Sequence, residues 1–233
     1  MIRWISVVLA LLAGGAAVYA WRPRPVPAID FVDDLRGPAS PHLVIPFDAY
    51  ALTPGGLLRA KSVTGREFGN DRPMVKTVSG GYLSRDFIFE VDVTMPAATQ
   101  DLAYVGFGGG DSNPAYFNEP ASAFLFRIHN GIGGNAVNVT ASRPATEHKT
   151  EAGSSVYAAF EPIGTYAAGS TTTFRIERAG DKVALSMPSV QGAAHTFDTS
   201  VLPRLFGGGD AFLFFGNSTE GTVFSNLRVR PRG

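Results

Sequence analysis

Cysteine is absent from this 233-residue chain, and its absence excludes several kinds of chemistry at once. The protein can form no disulfide, no thiol nucleophile, no Cys-ligated zinc site and no lipidated cysteine. An excess of charge of one sign is also lacking, because twenty Lys and Arg residues balance twenty Asp and Glu residues. Without such a field the chain has no bulk attraction for nucleic acid, which we do not expect as a partner.

Histidine is scarce, and familiar catalytic spacings are missing. The four histidines stand in no metal-ligand pattern, and no G-x-S-x-G elbow is present. Two glycine runs, "GFGGGD" at 106–111 and "LFGGGD" at 205–210, invite comparison with phosphate-binding loops. Such loops need a following helix and usually a lysine, and neither is indicated here. We therefore interpret the second run, Gly207 to Asp210, as a turn between strands.

The first glycine run is followed by oxygen-bearing side chains. Asp111, Asn113, Asn118 and Glu119 lie within nine residues, and hard oxygen ligands are what calcium binds. Polar turn residues that cap a strand end would have the same composition. Asp111, Asn113 and Glu119 are thus a candidate metal site, and Ca²⁺ is the one cofactor that the sequence suggests.

Long hydrophobic runs are lacking except at the N-terminus. Residues 1–21, "MIRWISVVLALLAGGAAVYAW", place Arg3 before an uncharged apolar stretch that ends in small residues, which predicts a signal peptide cleaved after Ala20. The alternative is an uncleaved anchor over residues 4–21, with Trp4 and Trp21 at the membrane interfaces. Either form predicts an extracytoplasmic protein that is periplasmic, secreted or tethered to the membrane.

A proline-rich stretch follows this segment. "WRPRPVPAID" carries prolines at 23, 25 and 27, a spacing that favours an extended spacer over helix or strand. We predict a linker over residues 22–30 and one domain over residues 31–233.

Two-residue alternation dominates the predicted domain. In "DFIFEVDVTM" (86–95) four apolar side chains fall on one face, and "SAFLFRIHN" (122–130) repeats the pattern. "TFRIERAGDKVALSM" (173–187) gives two alternating runs around "AGDK", a hairpin signal. Further runs occur at 103–108, 135–141, 211–216 and 222–229, with weaker ones near 56 and 156.

Eight or nine short strands separated by turn residues predict an all-β fold, a two-sheet antiparallel β-sandwich. The seven phenylalanines of the clearest strands are expected in its core, namely Phe87, Phe89, Phe124, Phe126, Phe212, Phe214 and Phe215. The long segment 142–172 is expected to be a binding loop or a flap that packs on the sheet.

The order of these strands resembles the concanavalin A-like lectin/glucanase superfamily. "TFRIER" before a hairpin and "FSNLRV" as the last strand are similar to laminin-G-like (LamG-like) jelly rolls, and "SAFLFR" is similar to a strand of 3-keto-disaccharide hydrolase-like domains. The resemblance spans about residues 45 to 230. It implies a jelly-roll sandwich that binds a glycan on a concave sheet or in its edge loops, as a cleaving or a non-cleaving protein.

The candidate ligand-binding residues are polar side chains opposite the apolar face. Arg127 and His129 share one strand face, and Tyr104 and Asn138 lie on the comparable face of candidate neighbouring strands. Arginine can bind a carboxylate through two parallel hydrogen bonds, and an aromatic ring can stack on a sugar. These four residues are predicted to form a carbohydrate site.

Catalytic carboxylates are a weaker alternative. Laminarinase-like members of the superfamily carry E-x-D-x-x-E, and "EVDVTM" is similar to it at Glu90 and Asp92 but has Met95 at the third acidic position. A retaining glycosidase needs two carboxyls that flank the scissile bond. We therefore predict a non-catalytic module that binds carbohydrate or an envelope polysaccharide, with two alternatives. The first is a glycan hydrolase or lyase that uses Glu90, Asp92, Arg127 and His129 in one groove, and the second is a protein-interaction sandwich.

Overall fold

A computed structural model describes residues 27–60, 74–97, 101–110, 122–130, 135–143, 156–207, 210–217 and 220–233. Within these ranges the chain forms fifteen strands, two 3₁₀ turns and one short helix. The strands are β1 Phe31–Asp33, β2 Leu43–Val44, β3 Tyr50–Thr53, β4 Gly56–Arg59, β5 Val75–Thr77, β6 Phe87–Thr94, β7 Asp101–Gly110, β8 Ser122–Asn130, β9 Ala136–Arg143, β10 Val156–Thr165, β11 Thr171–Ala179, β12 Lys182–Ser186, β13 Ala194–Asp198, β14 Asp210–Asn217 and β15 Val223–Pro231. The 3₁₀ turns are Tyr82–Ser84 and Thr199–Val201, and helix α1 is Pro203–Gly207.

The strands form two antiparallel sheets. Sheet A has the order β13-β12-β11-β6-β15-β4-β3, with β1 also paired to β15. Sheet B has the order β10-β9-β8-β7-β14-β5-β2. The predicted all-β, two-sheet antiparallel sandwich is confirmed. The strand number was underestimated because strands of two to four residues, such as β1, β2 and β5, are too short to show alternation.

One hydrophobic core lies between the sheets. The alternation of β6 is observed directly, since Phe87, Phe89, Val91 and Val93 are buried while their neighbours are half-exposed. Edge-to-face aromatic pairs join the two layers: Phe87 of sheet A and Phe107 of sheet B have ring centroids 5.1 Å apart. The inward faces of both sheets thus bury one contiguous cluster.

The predicted hairpin is present at "AGDK". β11 and β12 pair up to Ala179 and Lys182, which leaves a two-residue loop of Gly180 and Asp181. Gly180 has φ 55°, a left-handed conformation that glycine adopts without steric cost.

Two phenylalanines lie elsewhere than expected. Phe212 and Phe214 alternate with Ala211, Leu213 and Phe215, and it is the latter three that join the main core. Phe214 is buried as predicted, but in a second, smaller apolar cluster on the other side of sheet B, whereas the prediction that Phe212 belongs to the core was wrong. In "AFLFFG" both strand faces are apolar, so the sequence does not define which face turns inward.

The segment 142–172 is not simply a loop or flap. Residues Val156–Thr165 form β10, which pairs with β9 as the edge strand of sheet B. The weaker strand prediction near residue 156 is confirmed. The first glycine run is also strand rather than turn up to Gly110, and β7 pairs there with β14.

The N-terminal predictions fall outside the described residues up to position 26. The signal peptide or anchor over 1–21, and most of the linker over 22–30, therefore stay predictions. Among the residues that are described, no helix has both the length and the apolar composition needed to span a membrane.

Candidate functional site

Three of the four predicted ligand-binding residues form one row across sheet B. Arg127 on β8 pairs with Tyr104 on β7 and with Asn138 on β9. Asn138 pairs in turn with Pro162 on β10. Side chains directly opposite each other on antiparallel strands have Cβ atoms about 5 Å apart. The row lies on the side of sheet B that faces away from sheet A, which we call the outer face of sheet B.

His129 lies beside this row, two residues beyond Arg127 on the same face of β8. It is half-buried and pairs with Leu102 on β7, on the same face as Arg127. The pKa of His129 is lowered from its ordinary value of 6.5, first by burial and then by the positive charge of Arg127. The hydroxyl of Tyr166 donates a hydrogen bond of 3.0 Å to the backbone oxygen of His129 and so fixes this part of β8. At neutral pH the imidazole is therefore uncharged, with one donor and one acceptor nitrogen.

Tyr104 does not offer an open ring for stacking. It is only 1% exposed and belongs to a second apolar cluster with Met74, Ala123, Leu125 and Phe214 on the outer face of sheet B. Glycine makes this cluster possible, because a Cβ on Gly106 would lie 2.2 Å from the ring of Phe214. Tyr104 is thus packed among these apolar side chains and does not present an exposed ring on which a sugar could stack.

Small polar side chains continue the site along β9. Asn138, Thr140 and Ser142 lie on the outer face of sheet B, and all three are buried. The Thr140 hydroxyl has no hydrogen-bond partner among the described residues. An unpaired buried hydroxyl costs about 1–3 kcal/mol, so this strip keeps unused hydrogen-bonding capacity.

Phe160 on β10 is an aromatic residue that the sequence pattern did not assign to the site. It pairs with Thr140, one row away from Arg127, and is 44% exposed. Pro162, in the same row as Arg127, is exposed too. The only sequence signal was the weak strand pattern near 156, which places Phe160 on the same strand face as Pro162.

Glu90 and Asp92 lie on the opposite surface of the protein. They sit on β6, on the side of sheet A that faces away from sheet B. The expectation that they share one groove with Arg127 and His129 was wrong, since the whole sandwich separates the two faces. The alternation within β6 shows which residues share a face of the strand, but it does not show which of the two sheets the strand joins.

Both carboxylates are held by neighbouring side chains. Glu90, 12% exposed, lies 3.8 Å from Arg175 and 3.6 Å from Arg230. Asp92 accepts hydrogen bonds from Thr173 at 2.6 Å and from the amide of Asn226 at 2.8 Å. These contacts explain both acids as parts of a cross-strand network on sheet A.

Met95, at the third position of the glucanase-like pattern, is buried in the core between the sheets. Its sulfur accepts a hydrogen bond from the hydroxyl of Thr222 at 3.8 Å. This position of the chain therefore supplies no acid to either outer face.

The candidate calcium residues Asp111, Asn113 and Glu119 lie outside the described residues, and this site stays a prediction. In the described ranges no three His, Asp or Glu side chains are grouped as ligands for a metal ion.

Comparison with solved structures identifies the fold. The Crh5 transglycosylase in complex with NAG matches with a TM-score of 0.56 and 13% identity, over 90% of this chain and 87% of that chain. Its apo form gives a TM-score of 0.54 at the same identity and coverage. The carbohydrate-binding module CBM66 from Bacillus subtilis gives a TM-score of 0.46 at 13% identity, over 76% of this chain and 88% of that chain.

At such identities the likeness shows the fold alone, and it agrees with the two-sheet β-sandwich predicted from the sequence. It does not separate the laminin-G-like from the 3-keto-disaccharide hydrolase-like subgroup. Comparison with protein-family models gave no match, and comparison with curated proteins gave none.

Proposed function

We propose that this protein is an extracytoplasmic carbohydrate-binding module that binds its ligand, without cleaving it, on the outer face of sheet B. The observation that carries the proposal is the register of four adjacent strands. It brings an exposed aromatic ring, a guanidinium, an imidazole and an amide together on one surface. Sugars are recognised by this combination, because apolar ring faces stack and hydroxyls hydrogen-bond.

The spacing of Phe160 and Arg127 suits a ligand longer than one sugar ring. They lie two strands apart and two residues out of line, which corresponds to about 12 Å for strands 4.8 Å apart with a rise of 3.4 Å per residue. Phe160 would stack on one sugar unit while Arg127 and His129 hydrogen-bond the next. The ligand would thus be an oligosaccharide or polysaccharide that runs across the strands.

The fold supports this function. The Crh5 transglycosylase, whose structure contains NAG, shares the two-sheet sandwich over most of both chains. The engagement of Glu90 and Asp92 by Arg175, Thr173 and Asn226 favours binding over hydrolysis at those carboxylates. The apolar segment of residues 4–21 favours a location at the cell envelope, as a secreted or tethered protein.

The test is a binding measurement on the full chain, purified in mild detergent, against an array of neutral and acidic glycans. Phe160→Ala is the diagnostic variant, and Phe47→Ala is its matched control. Phe47 is a phenylalanine of similar exposure between β2 and β3, at the other edge of sheet B. We expect Phe160→Ala to weaken glycan binding roughly tenfold, as the loss of about 1.5 kcal/mol of stacking implies, and Phe47→Ala to leave it unchanged.

Three results would contradict the proposal in different ways. Equal losses in both variants would place the ligand elsewhere, and absence of binding across the array would reject carbohydrate as the partner. Release of new reducing or unsaturated ends would show catalysis. A parallel series with Ca²⁺ and with chelator tests the candidate site at Asp111, Asn113 and Glu119, where we expect chelation to weaken binding.

A further inference from the structure

We propose that the glycan bound on the outer face of sheet B carries an acetyl group, as an amide or an ester, and that this group hydrogen-bonds the hydroxyl of Thr140 beneath Phe160. This inference rests on the proposed function and adds a chemical feature of the ligand. Among the described residues, Thr140 carries the one buried side-chain hydroxyl that has no hydrogen-bond partner. The residue is 0% exposed, so bulk water does not satisfy that hydroxyl.

Thr140 lies between two apolar side chains of neighbouring strands. On β9 it pairs with Leu125 of β8 on one side and with Phe160 of β10 on the other. Side chains paired in this way lie on the same face of the sheet, with Cβ atoms about 5 Å apart. Leu125 is 2% exposed, whereas Phe160 is 44% exposed. The hydroxyl is therefore flanked by a buried aliphatic side chain and by a ring that reaches the surface.

The same-face neighbours of this hydroxyl along β9 are polar and neutral. They are Asn138 and Ser142, and both are buried. The described charged side chains of this face are Arg127, Lys76 and Asp210, and they pair with residues other than Thr140. Amide and hydroxyl groups donate to carbonyl and hydroxyl oxygens without the need for a formal charge. The strip along β9 thus favours a neutral substituent of the ligand.

An acetyl group fits these surroundings better than a bare sugar hydroxyl. Its carbonyl oxygen can accept a hydrogen bond from the hydroxyl of Thr140, while its methyl group packs against Leu125 and Phe160. A sugar hydroxyl would also pair with Thr140, but it would bring a second polar group between two apolar side chains. The acetyl group satisfies both the hydroxyl and its apolar neighbours.

The position of Phe160 lets a ligand reach Thr140. β10 is the edge strand of sheet B, and its pairing with β9 shifts register on both sides of Phe160. Such bulges bend a strand and re-aim its side chains. Exposed side chains change rotamer on the picosecond to nanosecond timescale, so this ring can turn aside while the acetyl group enters. The sugar that bears the acetyl group then stacks on the same ring.

The experiment compares glycans that differ in an acetyl-bearing substituent. Hexa-N-acetylchitohexaose and cellohexaose test the amide, and O-acetylated glucomannan and its alkali-deacetylated form test the ester. Isothermal titration calorimetry of the full chain in mild detergent measures each affinity. We expect the acetylated member of one pair to bind roughly tenfold more tightly than its partner, as one added hydrogen bond and one buried methyl group imply. The pair that shows the difference identifies the amide or the ester.

Three variants assign this preference to one hydroxyl. Thr140→Val removes the hydroxyl and keeps the shape of the side chain, so we expect the preference to disappear while the melting temperature stays equal or rises. Thr140→Ser keeps a hydroxyl and should keep the preference. Thr94→Val is the matched control, because Thr94 lies on the outer face of sheet A, where its hydroxyl hydrogen-bonds that of Thr171 at 2.7 Å. This control should leave the preference unchanged.

The outcomes separate this inference from the proposed function. Equal binding within both pairs would overturn the acetyl preference and leave carbohydrate binding in place. A Thr140→Val variant that keeps the preference, or that melts at a clearly lower temperature, would show that this hydroxyl has a structural role and would overturn the site. The same loss of preference in Thr94→Val would also overturn it. Failure to bind any glycan would overturn both proposals.

Discussion

Asn226 provides a stability prediction that can be worked out from the structure in detail. It lies in the bulge of β15 between Ser225 and Arg228, with φ 49°, a left-handed conformation that few non-glycine residues adopt. Its side-chain amide donates a hydrogen bond of 2.8 Å to Asp92. The residue therefore contributes through both its backbone conformation and its side chain.

Two substitutions separate these contributions. Asn226→Gly keeps the left-handed backbone and removes the hydrogen bond, which we expect to lower the free energy of unfolding by about 1–2 kcal/mol, since the charged partner retains Thr173. Asn226→Ala also imposes the cost of a left-handed residue with a Cβ, about 1–2 kcal/mol more. The Ala variant is thus expected to be the less stable of the two.

Urea unfolding followed by far-ultraviolet circular dichroism measures both free energies. In thermal melts each 1 kcal/mol corresponds to a fall of roughly 2–4 °C for a protein of this size. If Asn226→Ala were as stable as Asn226→Gly, the left-handed bulge would not constrain this position. If Asn226→Gly matched the unsubstituted protein, the contact with Asp92 would contribute no more than the left-handed strain that glycine relieves.

Three further predictions concern other parts of the sandwich. Gly106→Ala is expected to destabilise the fold by about 1–3 kcal/mol in urea unfolding, because its methyl would overlap the ring of Phe214, whereas Gly37→Ala, which meets open space, should be near neutral. The pKa of His129 is lowered in the folded state, so protonation of this ring favours the unfolded chain. Its contribution to the free energy of unfolding is therefore fully present above about pH 6.5, the ordinary pKa, and is lost as the pH falls through the folded pKa. Thermal melts across this range should show a shallower acid dependence for His129→Gln, and parallel curves would refute the assignment. Glu90→Gln should leave glycan binding within error of the unsubstituted protein, and a loss as large as that of a sheet B variant would return Glu90 to the site.

Strand positions and face assignments followed from sequence wherever one face of a strand is polar. β6 alternates along its whole length and β8 does so from Phe126 onward, so burial of Phe87, Phe89 and Phe126 could be predicted. β14 is apolar on both faces, so the same rule did not predict that Phe214 packs into the cluster on the outer face of sheet B. A period-two pattern gives the face of a strand only when its two faces differ.

The candidate site was predictable only in part, for a related reason. Arg127, Asn138 and Tyr104 lie in one row because their strands are neighbours in one sheet, and their role in binding stays a prediction. Phe160 was not assigned to the site, because the weak alternation near residue 156 did not predict that this strand forms the edge of the same sheet. The exposure of each site residue was not predictable either, since the side chain of Tyr104 is buried although it lies on the face away from the main core.

By itself the sequence determined the all-β class, the turn at Gly180 and the polar side chains of each alternating strand, because these depend on contacts between residues near each other in the chain. Only the tertiary structure decided which strands share a sheet, and with them the separation of Glu90 and Asp92 from Arg127. Strand pairing joins segments far apart in sequence, and its outcome depends on how all the apolar faces can be buried together.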